Sequence, residues 1–118
     1  MKRLVGFLFL AACSLGAAQA QSIGGAYIVR GKNANGSGYG GEARIVLTSE
    51  TTCEIFWKTG ATTSRGICMR NGDAFSAGYA LGNSIGLVIY KVNANGVLDG
   101  LWTIAGQKGV GSETLIPK

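Results

Sequence analysis

Apolar positions along this chain recur in short runs with partial every-other-residue alternation, and glycine-rich turns separate the runs. β-Branched and aromatic residues dominate the runs, which suits a pleated and half-buried surface. The pattern predicts eight strands, over residues 26–30, 42–48, 53–59, 66–70, 74–80, 85–92, 98–105 and 112–116. Asn-Gly, the strongest short hairpin signal, occurs at Asn35-Gly36, Asn71-Gly72 and Asn95-Gly96. No segment carries a helical period with caps, and the sole proline, Pro117, lies at the end. Eight short strands joined by tight turns describe an antiparallel meander. A flat sheet of that kind would leave adhesive edges, and closure removes them. The expected fold is therefore an all-β, eight-stranded up-and-down barrel, with a β-sandwich as the alternative. Gly78, Gly86 and Gly100 fall inside strands, where bends or bulges are expected. The tetrapeptide Asn-Ala-Asn-Gly occurs twice, at 33–36 and 93–96, and reads as two turns meeting one steric demand.

The first twenty residues change the setting. Lys2 and Arg3 precede the apolar run 4–12, and Ala18-Gln19-Ala20 has the small-x-small form of a signal-peptidase site. Residues 1–20 thus read as an export signal and 21–118 as one domain in the periplasm or outside the cell. Loss of Lys2 and Arg3 lowers the formal net charge of +5 by two. The remaining excess is mild, and its basic residues are scattered singly, which argues against nucleic acid as a partner. After Ala20 no apolar run reaches the roughly 18 residues that a spanning helix needs. Leu10-Ala11-Ala12-Cys13 offers a different outcome, since it resembles a lipobox that would make Cys13 a lipid anchor.

Either route leaves Cys53 and Cys68, and in an oxidising compartment a bridge is the default. A hairpin centred between Gly60 and Ala61 places the two directly opposite each other. Facing Cα atoms about 5.5 Å apart suit a disulfide.

Candidate chemistry is sparse. There is no histidine, so Ser-His-Asp and Cys-His catalysis are absent, as is the usual zinc or copper ligand. Bridging the two thiols removes the cysteine nucleophile. The six carboxylates (Glu42, Glu50, Glu54, Asp73, Asp99 and Glu113) form no catalytic or calcium motif. Residues 36–41 have G-x-G spacing but lead into a strand, so they lack the helix N-terminus that grips phosphate. No enzyme activity, cofactor or metal is expected. Aromatic side chains are the better candidates for binding. Trp57 shares a face with Cys53 and Ile55, and Trp102 shares one with Leu98, Gly100 and Ile104. Each suits a packed core or a ligand platform. Tyr39, in a glycine-rich turn, is expected to be exposed, and Tyr90, facing away from Ile89, to lie at the surface. Arg44 and Glu113 are expected to point outward, the alternative being inward charges that line a polar cavity, and Arg65, Arg70, Lys91 and Lys108 are candidates for a basic rim.

Several stretches carry a resemblance. They are Gly25-Ala26-Tyr27-Ile28-Val29-Arg30-Gly31, Asn35-Gly36-Ser37-Gly38-Tyr39-Gly40-Gly41, Gly86-Leu87-Val88-Ile89-Tyr90, Asn95-Gly96-Val97-Leu98-Asp99-Gly100-Leu101-Trp102 and Gly109-Val110-Gly111-Ser112-Glu113. Together they resemble small exported proteobacterial proteins, some of which carry the label fibronectin-binding protein. Gly41-Glu42-Ala43-Arg44-Ile45 and residues 95–100 also look like pieces of the avidin and streptavidin barrel, a likeness that bears on architecture alone.

Three functions compete at this point. The first is a non-enzymatic binding or adhesion module that engages an extracytoplasmic protein or envelope polymer through strand edges, turns and aromatics. The second is a small-molecule carrier with a pocket inside the barrel, lined by Trp57 or Trp102. The third is a secreted inhibitor of an envelope-attacking enzyme, presenting the segment 59–64.

Overall fold

The computed structural model describes residues 22–118, so the expected export signal and Cys13 lie outside the described residues. Eight strands run β1 (Gly25–Lys32), β2 (Gly38–Leu47), β3 (Thr52–Thr59), β4 (Thr62–Asn71), β5 (Ala74–Leu81), β6 (Ser84–Val92), β7 (Leu98–Ile104) and β8 (Gly111–Pro117). Each pairs antiparallel with its sequence neighbours, and β8 pairs with β1 to close the barrel. Closure in this order is the expected up-and-down topology, and it leaves no free strand edge. The β1–β2, β3–β4, β5–β6 and β7–β8 connections therefore share one end, and the other three share the opposite end with Lys118.

Most strands extend beyond their predicted limits because the turns are tighter than the sequence suggests, whereas β7 stops one residue short, at Ile104. Gly38–Gly41, read as turn, lies within β2. At Asn71-Gly72 the two-residue loop is Gly72-Asp73, because Asn71 pairs with Ala74. Gly72 stands at φ +63°, the left-handed region that glycine enters without steric cost. The two copies of Asn-Ala-Asn-Gly fold alike but at opposite ends. In each, the glycine N–H donates to the carbonyl of the first asparagine, at 2.8 Å in one and 2.9 Å in the other. The Asn35 and Asn95 side chains then accept the backbone N–H two residues on.

The Cys53–Cys68 disulfide forms as expected, between directly paired residues with Cα atoms 5.0 Å apart. It lies toward the end that holds most of the core. There Val29, Ile55, Phe75, Leu98 and Leu115 are fully buried, and the Phe75 and Tyr90 rings stack with centroids 5.5 Å apart.

The interior glycines do something other than kink strands. The ladders through Gly86 and Gly100 run without a break, so neither is a bulge. Instead, four inward aromatic rings each lie across a glycine directly opposite on the next strand: Tyr39 on Gly31, Tyr79 on Gly86, Tyr90 on Gly100 and Trp102 on Gly111. A Cβ at any of these glycines would collide with the ring. The Tyr39, Tyr79 and Trp102 rings thus lie against the barrel wall at one end and leave space there, while the Tyr90 ring stacks on Phe75 in the packed end.

Candidate functional site

That space lies at the end formed by the β1–β2, β3–β4, β5–β6 and β7–β8 connections. It is a cup of about 290 Å³ walled by Tyr39, Trp57, Tyr79 and Trp102, with Val88 and Glu113 deeper in and Asn33, Thr59, Thr62 and Leu81 nearer the mouth. The Trp57 and Tyr79 rings are tilted together at 5.1 Å, and the Tyr39 and Trp102 rings meet edge to face at 6.2 Å.

Glu113 organises the cup. Strand alternation places it inward between Gly111 and Leu115, and only 7% of its surface is exposed. The expectation that it points outward is thereby corrected: three donors inside the barrel take up a carboxylate that a packed wall could not. The Tyr39 hydroxyl donates to Oε1 at 2.8 Å, while the Trp57 indole N–H at 3.0 Å and the Tyr90 hydroxyl at 2.5 Å donate to Oε2. Charge-assisted bonds of this kind are stronger than neutral ones and hold the carboxylate in one position. Trp102 Nε1 is buried and has no hydrogen-bond partner among the described residues.

Two tyrosine expectations are corrected at the same site. Tyr90 is buried, and Tyr39 is half-buried in β2 with its hydroxyl on Glu113. Tyr39 was read as a turn residue because glycines surround it, but those glycines belong to the strand. Trp57 and Trp102 both reach the cup, Trp57 from the buried core and Trp102 from a half-buried position. Arg44 points outward, as expected, and takes no part in the site. No basic rim forms: Lys108 sits at the cup end, Arg70 near the opposite turn, where its Nε donates to the Gly72 carbonyl, and Arg65 stacks on the outer Phe56 ring at 5.7 Å. Among the described residues no three His, Cys, Asp or Glu side chains converge on a metal-sized site.

The electrostatics of the cup show in the tyrosines. Burial, followed by the nearby Glu113 charge, pushes Tyr79 up to about 12 and lifts Tyr39 and Tyr90 well above the ordinary phenol value. Burial also raises Tyr27, with Arg70 opposing it. A raised folded-state pKa contributes stability that is fully present below pH 10, where the unfolded phenol still holds its proton, and is lost as pH climbs through the folded value. All four tyrosines of the chain are shifted the same way. Phenolate absorbance should therefore stay flat through pH 10 and then rise together with loss of near-ultraviolet circular dichroism. A normal titration centred near pH 10 in the folded protein would contradict the buried arrangement.

No protein-family model and no curated protein matches the chain. Several similar solved structures are designed proteins. A redesigned β-barrel, b11L5F_LGL, is 13% identical with a TM-score of 0.73, covering 86% of this chain and 99% of its own. The redesigned barrel mFAP1, bound to DFHBI, is 16% identical with a TM-score of 0.69, covering 80% and 95%. A de novo fluorescence-activating β-barrel is 14% identical with a TM-score of 0.67, covering 84% and 96%. At such identities the likeness establishes the class, a closed eight-stranded antiparallel barrel. It establishes nothing finer.

Proposed function

We propose that this protein is an exported, non-enzymatic carrier that binds one small organic molecule inside the barrel. The observation that supports this most is the hollow aromatic cup. Eight-stranded barrels are just wide enough either to fill with side chains or to hold one small ligand. Here the ring-on-glycine pairs keep one end unfilled while the other is packed. Its size approaches the lower range of known ligand pockets, and its make-up is that of a binding pocket: mostly apolar and aromatic walls with few fixed polar groups. The similar redesigned barrel mFAP1 is bound to DFHBI, which supports this reading. The disulfide supports an oxidising compartment, and no helix among the described residues is long and apolar enough to cross a membrane.

The adhesion reading loses one route and keeps another. Closure leaves no edge onto which a peptide strand could add, but Ile67, Ile85, Leu87 and Ile89 are exposed on the outer wall and favour contact with a protein surface. For the inhibitor reading, the segment 59–64 is a two-residue turn between paired strands, too short to project into a cleft.

Ligand-observed NMR with a fragment library of one- and two-ring compounds tests the carrier function. Binders should saturate at a single site and perturb emission from Trp57 and Trp102. Ser64→Phe, which fills the cup from β4, should abolish binding while the circular dichroism spectrum is retained. If no fragment shows binding that this substitution removes, the barrel is not a carrier of this kind.

A further inference from the structure

We propose that the ligand of the cup is a small organic cation, an amine or quaternary ammonium bearing an apolar group; this rests on the carrier function above. Glu113 carries its charge into a water-poor interior, where an unpaired charge is costly. Neutral donors satisfy three of the roughly four lone-pair positions a carboxylate presents. None of them cancels the net charge. Among the described residues no lysine or arginine lines the cup, and the ion pair between Lys118 and Glu42 lies on the exposed outer surface. The cup is therefore a pocket of net negative charge whose walls are Tyr39, Trp57, Tyr79 and Trp102.

Those walls make the same selection. The faces of indole and phenol rings are electronegative and attract cations lying within about 6 Å of the ring centre, more strongly once water is excluded. Aromatic cages of this composition take alkylammonium groups because such groups shed water readily and offer methyl surface to the rings. An anionic ligand would meet the Glu113 charge in low dielectric, and a neutral one would leave that charge uncompensated. The buried Trp102 N–H, having no acceptor among the described residues, adds a place for one ligand oxygen beside the cationic group.

Isothermal titration of the purified protein with benzyltrimethylammonium, its uncharged isostere neopentylbenzene and the anion benzenesulfonate separates the outcomes. The cation should bind saturably and at least ten-fold more tightly than the isostere, and the anion should not bind. Glu113→Gln should erase that preference, because its amide can still accept from Trp57 and Tyr90 and donate to Tyr39, keeping the fold. Tyr79→Leu, which leaves every Glu113 bond in place, should weaken the cation several-fold. If the isostere or the anion binds as well as the cation, the charge selection is wrong while the carrier function stands. If none of the three binds, nor any fragment from the library, both fall.

A separate observation supports a second proposal. Outside the barrel, Ile67 and Met69 on β4, Ile85, Leu87 and Ile89 on β6 and Leu101 on β7 are each more than half exposed. Register aligns them across a floor of small β5 residues, Ser76, Gly78 and Ala80, so that two aliphatic ridges flank a groove. The stripe does not encircle the barrel: Arg30, Arg44 and Lys58 project from β1, β2 and β3 on the other side, which does not suit a lipid-facing belt. We infer that a second copy of this chain packs on the stripe about a twofold axis, the ridge of each copy seated in the groove of the other. Ridges and groove lie side by side on one patch, so each copy offers the other both halves of a self-complementary contact, as a twofold interface requires. Sedimentation equilibrium of the purified protein should show a dimer at micromolar concentration. The double substitution Ile67→Lys with Leu87→Lys should give a monomer with an unchanged circular dichroism spectrum. A wild-type monomer at all concentrations, or open-ended assembly, would overturn the twofold contact.

Discussion

Glu113→Ala should lower folding stability by about 3 kcal/mol, because each buried donor left without an acceptor costs about 1–3 kcal/mol. The Trp57 N–H and the Tyr90 hydroxyl lie in the interior and cannot turn to water. Tyr39 stands beside the cup and can recruit a water there, and removing the carboxylate also removes its own desolvation cost. The loss is therefore smaller than three full penalties. In a domain of this size it corresponds to a fall in Tm of roughly 15 °C. Glu113→Gln should cost under about 1 kcal/mol, since one amide oxygen can serve both Trp57 and Tyr90. Thermal and urea unfolding of the two variants side by side checks the contrast. Equal losses would mean that the charge, and not the hydrogen-bond network, holds the site together.

Removing the disulfide, as Cys53→Ala with Cys68→Ala, should destabilise by a similar amount. The bridge closes a loop of 15 residues, for which chain entropy gives about 3 kcal/mol. The cost falls at the packed end, where both cysteines are buried against the core. In a domain of about 100 residues, whose total stability is on the order of 5–10 kcal/mol, that is a large fraction. Reductant should lower the Tm of the wild type to that of the double variant and leave the variant itself unchanged. A reductant-insensitive Tm in the wild type would show that the thiols are not joined.

The architecture was legible because turn centres fix registers. Centring one hairpin between Gly60 and Ala61 placed Cys53 opposite Cys68, and the structure has that pairing. The same operation between Gly82 and Asn83 sets Tyr79 against Gly86, whereas Asn35-Gly36 and Asn95-Gly96 centred that way slip by one residue, because the ladders that pair Tyr39 with Gly31 and Tyr90 with Gly100 are centred on Asn35 and Asn95 themselves. A bulky ring facing a glycine inside a barrel is thus a sequence-level signal for a hollow.

The site was harder to see, for reasons that lie in individual strands. In β6, Ile85, Leu87 and Ile89 face out while Val88, Tyr90 and Val92 face in. Apolarity on both faces erases the alternation, and Tyr90 was placed on the wrong side. In β8 the inward set, Gly111, Glu113 and Leu115, is no more apolar than the outward set of Ser112, Thr114 and Ile116. The general preference of carboxylates for water then decided against Glu113. Its three donors come from β2, β3 and β6, so only the closed barrel brings them together.

The chain has two tryptophans, so its indole N–H resonances give two NMR signals that report on the cup directly. Glu113→Gln should move the Trp57 signal strongly, because that N–H donates to the carboxylate, and shift the unpartnered Trp102 signal much less. A Trp57 resonance indifferent to the substitution would place the carboxylate elsewhere, and the charged floor of the pocket would be lost with it.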